Sequence, residues 1–156
     1  MTAKRVTQPI LQNIGPRWYR LHEKFTYEWV KEGVRRRIVV PAGFECDGAS
    51  IPWWAWSKIR LVPTGIIGAA AALHDFMYAN RGDLPDGSYL RVIGPDECVP
   101  LHDVWSRYNA DRLLCRVMRE SGVPWLKRRI VYRSVRIFGG IPWARHKRAL
   151  AARLPA

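Results

Sequence analysis

The segment at residues 66–79 most constrains how this chain can fold. It is rich in alanine, has no internal proline and lies between Gly65 and Asn80, a pattern that predicts a helix. Because its side chains are apolar on nearly every side of that helix, the segment has no face suited to water and belongs inside the protein. The same segment carries His74 and Asp75. The fold therefore has to bury an imidazole beside a carboxylate.

The chain before this helix shows the alternation of polar and apolar residues that is typical of strands. It predicts strands at residues 17–22, 25–30 and 35–40, with a turn at residues 31–33. We expect these strands to form an antiparallel meander with one face on the core. The predicted fold class is therefore α+β, in which N-terminal antiparallel strands pack on a C-terminal helical part with a buried central helix.

The chain after the central helix is predicted to be mainly helical. Residues 81–101 are predicted to form a long loop with a short strand at 89–93, and helices are predicted at 102–120 and 124–138. In the last helix an apolar stripe is expected to face the core; it consists of Leu126, Ile130, Val131, Val135 and Phe138. Residues 1–140 are predicted to form a single domain, and residues 141–156 a basic tail or short helix.

Several polar residues lie in apolar or tightly turned surroundings and therefore need partners. We expect four of them to converge in space: Asp47, His74, Asp75 and Asp111. One interpretation is a buried structural network in which Tyr78 and Arg107 also take part. In that network Arg107 and Asp111 would form an i, i+4 pair on one helix.

Two chemical interpretations of the same region remain open. The first is a divalent metal site, because one imidazole together with carboxylates suits Zn, Mn or Fe; its ligands would be Asp47, His74, Asp75 and Asp111. The second pairs Cys46 with His74 as an activated nucleophile. Neither follows from the residue pattern alone, and both depend on whether these side chains meet.

The net charge of the chain is +13, from 26 Lys and Arg against 13 Asp and Glu. From Arg116 onward there are eleven basic residues and one acidic residue, Glu120. Such a surface attracts polyanions, among them nucleic acid and acidic proteins. Because no nucleic-acid-binding motif accompanies the charge, we prefer carboxylates of a protein partner and regard nucleic acid as possible but not preferred. The predicted partner-binding face consists of Arg128, Arg129, Arg133 and Arg136.

Three motifs occur in a recognisable order along the chain. Residues 40–52 read VPAGFECDGASIP, His74-Asp75 is followed by Tyr78, and Arg107 is followed by Ala110-Asp111. Together they resemble the phage- and prophage-associated domain of unknown function 1353 over roughly residues 20–140. One departure is Cys46, where the family pattern has threonine. The resemblance implies a bacteriophage context and leaves the activity open.

Two functions are compatible with these features. The first is a virion-associated structural or assembly protein of the tail or baseplate, which docks on larger phage proteins in a hetero-oligomeric assembly; the eight tryptophans favour such an interface. It would lie in the virion, and in the host cytoplasm during assembly, and it would be neither an enzyme nor dependent on a cofactor. The alternative is a phage-encoded metal-dependent hydrolase, acting on cell wall or nucleotide through the His74-Asp75 cluster. The longest apolar run, residues 66–73, is too short to cross a bilayer.

Overall fold

The computed structural model describes residues 6–16, 18–47 and 65–144 of the 156-residue chain. Within these ranges it has seven strands and three long helices. In chain order they are β1 (Leu11–Gly15), β2 (Trp18–Leu21), β3 (Phe25–Lys31), β4 (Val34–Val40), β5 (Glu45–Cys46), α1 (Gly68–Ala79), β6 (Tyr89–Val92), β7 (Cys98–Pro100), α2 (Arg107–Glu120) and α3 (Trp125–Phe138). The predicted α+β class, with N-terminal strands and a buried central helix, is confirmed.

The strands form two antiparallel sheets instead of one meander. β2 pairs with β1 and β5, whereas β3 pairs with β4, and β6 and β7 continue that second sheet. The prediction that β2, β3 and β4 are successive neighbours is therefore wrong for β2. The reason lies in the backbone of Leu21, whose N–H donates to Phe44 O (2.9 Å) and whose carbonyl accepts from Gly43 N–H (2.8 Å). The turn after β4, rather than β3, therefore supplies the hydrogen-bond partners of the Leu21 backbone at this edge of β2.

β3 and β4 form a tight hairpin that is fastened to the helices. The turn between them contains only Glu32 and Gly33, which both have positive φ (53° and 74°). Positive φ at both central residues is typical of two-residue turns, because their twist matches that of the strands. On the core side of β3, the Tyr27 hydroxyl donates a hydrogen bond to the Glu120 carboxylate of α2 (2.7 Å). This bond joins the second sheet to the end of α2.

α1 lies at the centre of the protein, and every residue from Gly68 to Tyr78 is buried. It packs against α2, β4 and β5. Its row of buried alanines has small side chains, so these elements can approach the helix closely. The helix ends where the Asn80 side chain donates to Phe76 O (2.8 Å) and Gly82 adopts a φ of 78°. A side chain at Gly82 would collide with the carbonyl of Trp105. Glycine at this position therefore allows the chain before α2 to pack on the end of α1.

The chain between α1 and α2 contains the β6–β7 hairpin. The predicted strand at residues 89–93 corresponds to β6, whereas β7 was not predicted. α2 begins at Arg107, five residues later than residue 102, where the prediction began it. The reason is a cap: the Ser106 hydroxyl accepts a hydrogen bond from the Asn109 N–H (3.2 Å) and so fixes the first turn.

α3 turns a different side to the core from the side that its apolar residues predict. Its buried side chains are small, namely Val131, Ser134 and Val135. Three residues of the predicted core stripe are instead exposed, at 55%, 36% and 39% of their surface; they are Leu126, Ile130 and Phe138. The prediction that the whole stripe faces the core is therefore wrong.

The close contact between α2 and α3 explains this difference. α2 and α3 pack against each other, and the side chain of Arg107 on α2 donates to the carbonyl of Arg136 near the end of α3 (3.1 Å). Small buried side chains such as Val131, Ser134 and Val135 allow two helices to pack closely, whereas leucine and phenylalanine hold them farther apart. Residues 140–144 are again helical, and residues 145–156 lie outside the described ranges. Among the described helices, none has the length and apolar character that a membrane crossing requires.

Candidate functional site

Asp111 is the centre of the polar cluster and is fully buried on α2, with 0% of its surface exposed. Its Oδ1 accepts hydrogen bonds from His74 Nε2 (2.9 Å) and from the Tyr78 hydroxyl (2.7 Å). Its Oδ2 accepts a hydrogen bond from Arg136 Nη1 (2.8 Å). His74 and Tyr78 are one turn apart on α1, and Arg136 belongs to α3. One carboxylate therefore joins the three helices.

The cluster shifts the pKa values of its own members. Burial lowers the pKa of His74, but the hydrogen bond to Asp111 and the negative charges of Asp75 and Asp111 outweigh it, so the net shift is upward from 6.5. Burial raises the pKa of Asp111, but hydrogen bonds from His74, Tyr78 and Arg136 outweigh it, so the net shift is downward from 3.8. At pH values between the pKa of Asp111 and the pKa of His74, the cluster therefore holds the His74 imidazolium against the Asp111 carboxylate. Burial and the bond to Asp111 also raise the pKa of Tyr78, which therefore remains a donor.

The ring of Tyr78 is fixed on both sides. Its centroid lies 4.0 Å from that of the His74 imidazole, and Trp143 packs edge-on against it with 4.9 Å between centroids. A side chain at Gly139 would collide with the Tyr78 hydroxyl and with the carbonyl of Val135. Glycine at the end of α3 therefore lets the following chain close over the cluster.

Asp75 and Asp47 form a second contact at the edge of the cluster. Asp75 Oδ2 accepts a hydrogen bond from the backbone N–H of Asp47 (3.1 Å), and its Oδ1 lies 3.8 Å from His74 Nδ1. The structure thus brings the four predicted residues into one region, with His74 and Asp111 in direct contact. Asp47 reaches Asp75 through its main chain in this contact. Residues 48–64, which contain the rest of the predicted turn, lie outside the described ranges.

The arginine that pairs with Asp111 is Arg136 rather than Arg107. Arg107 was predicted as its i, i+4 partner, but it donates to the carbonyls of Arg136 (3.1 Å) and Val135 (3.5 Å) at the C-terminal end of α3. Those carbonyls carry partial negative charge, which favours a guanidinium there. Arg136 was predicted on the outward basic face, and that prediction is corrected. Its contact with Asp111 spans 25 positions and depends on how α3 packs, which no local sequence signal reveals.

The remaining residues of the predicted basic face lie on different sides of α3. Arg129 and Arg133 are exposed, whereas Arg128 is half-buried and lines a groove beside α2. The four arginines therefore do not form one surface. Two of them face solvent, one faces the groove and Arg136 belongs to the buried cluster.

The hydrogen bonds limit what the cluster can do chemically. Within the described residues, no group of three or more His, Cys, Asp or Glu side chains has an arrangement that could hold a metal ion. Both Asp111 oxygens and His74 Nε2 are already engaged, and a cation at Asp111 would meet the charge of Arg136. His74 Nδ1 has no hydrogen-bond partner among the described residues and lies nearest the carboxylate of Asp75. The metal site therefore stays a prediction.

Comparison with known proteins identifies one relationship. A family model described as "Protein of unknown function (DUF1353)" matches residues 19–135, from β2 to the last turn of α3. This range includes every member of the cluster except Arg136. Neither the curated proteins nor the solved structures yield a match. Because the family model covers most of the chain, the protein belongs to the DUF1353 family of proteins of unknown function.

Proposed function

We propose that this chain is a non-enzymatic structural or assembly protein of a bacteriophage particle, a component of the tail or baseplate that docks on larger phage proteins. The phage context rests on the family resemblance of its three motifs. The proposed locations are the virion and, during assembly, the host cytoplasm. One observation carries the docking role: α3 exposes large apolar side chains along its outer side.

These side chains form a ridge that we call the outer face of α3. Trp125, Leu126 and Ile137 are the most exposed of them, at 63%, 55% and 71%. The complete outer face consists of Trp125, Leu126, Arg129, Ile130, Arg133 and Ile137, which the helical repeat brings to one side. Arg129 and Arg133 lie between these apolar side chains, and exposed apolar side chains interspersed with arginines are typical of surfaces that bind another protein.

Charge identifies the kind of partner. α3 contains five basic residues and no acidic one. A second copy of the chain docked on the outer face would bring like charges together, which disfavours self-association. The proposed occupant is therefore a different protein, which presents apolar side chains bordered by carboxylates that pair with Arg129 and Arg133. Binding of such a partner would give a hetero-oligomeric assembly.

The buried cluster supports a structural role for the interior. A catalytic group has to reach a substrate, whereas His74 and Asp111 are at most 1% exposed. Both carboxylate oxygens of Asp111 bind side chains from the other two helices. The cluster therefore holds α3 in place and makes a rigid support for the outer face.

Mass spectrometry of purified particles from a phage or induced prophage that encodes the chain tests this proposal. We expect the chain at a fixed copy number per particle. A Leu126→Ser/Ile137→Ser variant should fold but be lost from particles. An Ile93→Ser variant is the matched control, because Ile93 is also an exposed isoleucine (52%) but lies away from α3. Absence of the native chain from particles, or normal incorporation of the double variant, would overturn the proposal.

A metal-dependent hydrolase acting on cell wall or nucleotide is the second candidate. The observation that favours it is His74 Nδ1, a buried nitrogen without a hydrogen-bond partner among the described residues, 3.8 Å from Asp75. An imidazole beside a carboxylate is a common pair of metal ligands. Elemental analysis of the protein purified without chelator tests this candidate. Stoichiometric Zn, Mn or Fe that is absent from a folded His74→Gln variant would favour the hydrolase, and folded, metal-free protein incorporated into particles would exclude it.

A further inference from the structure

A concave groove of about 940 Å³ lies beside the hairpin of β3 and β4, with α2 as one wall. Its volume is near the upper end of the range for small-ligand sites. The α2 wall includes Tyr108, Arg112, Arg116 and Arg119, whose spacing of four, four and three residues places them on one side of the helix. The groove shares none of its described lining residues with the buried cluster or the outer face of α3.

The groove concentrates positive charge on a concave surface. Its described lining includes six basic side chains, Lys31, Arg36, Arg112, Arg116, Arg119 and Arg128, and one acidic side chain, Asp103. Two of the six have acidic neighbours: Arg116 pairs with Glu120 (2.9 Å), and Arg36 lies 3.8 Å from Asp103. The other four make no ion pair with the residues that the structure describes. Like charges around a concavity repel one another and raise the local potential, which favours an anionic ligand.

Aromatic rings lie among these cations. Tyr108 is 48% exposed, and Trp105 and Tyr132 are half-buried along the same groove. The guanidinium groups of Arg112 and Arg136 lie 5.6 Å and 5.4 Å from the centre of the Tyr108 ring. The backbone N–H of Trp105 donates a hydrogen bond to Gly82 O (2.8 Å), which holds this residue near the end of α1. The groove therefore combines cations with planar apolar surfaces that a ligand can contact.

We propose that this groove binds single-stranded nucleic acid. The phosphates would pair with Arg112, Arg119 and Arg128, because guanidinium groups bind phosphate through two parallel hydrogen bonds. A base would stack on the Tyr108 ring, which is 48% exposed, in place of one of the guanidinium groups that contact it, as bases do on aromatic side chains in single-strand-binding grooves. An acidic peptide would use the cations but not the rings, so the aromatic lining favours nucleic acid over a peptide.

The sequence could not reveal this site, because its parts come from β3, β4, β6, the chain before α2, and the helices α2 and α3. The inference goes beyond the docking role and does not depend on it, since the groove and the outer face of α3 use different residues. A particle protein that also contacts nucleic acid and a free single-strand-binding protein would both contain such a groove.

Fluorescence anisotropy with a short labelled oligothymidylate, titrated with the full chain at several salt concentrations, tests the proposal. Replacing both Arg119 and Arg128 with alanine should weaken binding and reduce the slope of log affinity against log salt by about 1.4, at about 0.7 per lost phosphate contact. The matched control is Lys24→Ala/Lys127→Ala, which removes the same charge outside the groove and outside the outer face of α3. Its effect on the slope should be small.

A second pair of variants tests the stacking. Tyr108→Ala should weaken oligothymidylate binding by about five- to a hundredfold, whereas Tyr108→Phe, which keeps the ring, should bind nearly as the native chain does. A labelled polyglutamate of the same length is the competing probe. Equal or tighter binding of polyglutamate, an equal loss in the Lys24/Lys127 control, no effect of Tyr108→Ala in folded protein, or no binding of oligothymidylate would each overturn the proposal.

Discussion

α1 is apolar on nearly every side and α3 carries an apolar stripe, but the fold places these apolar side chains in opposite ways. α1 is buried from Gly68 to Tyr78, whereas α3 buries only small side chains and exposes its largest apolar ones. The difference shows that apolar character alone does not place a helix face in the core. Two contacts favour the inward side of α3, namely its packing on α2 and the pairing of Arg136 with the carboxylate of Asp111.

The sharpest way to break this comparison is to enlarge a side chain on each helix. Ala70→Trp on α1 places a large ring where the exposed surface is 0%, so we expect a loss of more than about 3 kcal/mol and unfolding of much of the protein. Ile137→Trp on α3 should change stability by less than about 0.5 kcal/mol. Thermal unfolding followed by circular dichroism measures both. Similar melting temperatures for the two variants would show that α1 is not central.

Removing the carboxylate of the cluster should have the next largest effect. Asp111→Ala leaves the charges of His74 and Arg136 without their partner, and breaking a buried ion pair in this way costs about 3 to 5 kcal/mol. Asp96→Ala, at an exposed aspartate in the β6–β7 turn, is the control. Urea unfolding at neutral pH compares the two. A loss below about 1 kcal/mol for Asp111→Ala would show that the cluster does not hold the helices together.

The pH dependence of stability tests the same cluster without removing an atom. The pKa of Asp111 is lowered in the fold, so its contribution is present above pH 3.8 and is lost as pH falls through the lower, folded value. The pKa of His74 is raised, so its contribution is complete below pH 6.5 and is lost as pH rises through the higher, folded value. We expect stability to be greatest between these limits. His74→Gln should abolish the decline on the alkaline side, and the exposed His102→Gln should not.

The smallest expected effect concerns the outer face of α3 itself. Leu126→Ala should alter the free energy of unfolding of the isolated chain by no more than about 0.5 kcal/mol, because its side chain is already in water. Leu114→Ala, at a leucine of α2 that is 1% exposed, should cost about 2 to 5 kcal/mol. Denaturant titration of both variants decides the matter. Equal losses would mean that Leu126 belongs to the core, as its sequence pattern predicted.

The sequence predicted the elements whose identity depends on local pattern. The alternation in β3 and β4, the alanines of α1 and the convergence on His74 are all properties of neighbouring residues or of a recognisable motif. The errors arose where long-range contacts decide. Backbone hydrogen bonds join Leu21 to Phe44 and Gly43, so β2 does not pair with β3. The pairing of Arg136 with Asp111 likewise could not be read from the pattern of α3. The groove was not predictable at all, because its cations and rings meet only in the folded chain.

The arrangement around Asp111 also limits how this protein can change over generations. His74, Tyr78 and Arg136 all donate hydrogen bonds to one carboxylate, so losing any one donor changes the electrostatic environment of the other two. Replacing these residues one at a time passes through intermediates with unpaired buried groups, whereas replacing the set together with apolar side chains avoids them. The four positions are therefore expected to vary as a unit among relatives, while the residues of the outer face remain free to follow a changing partner.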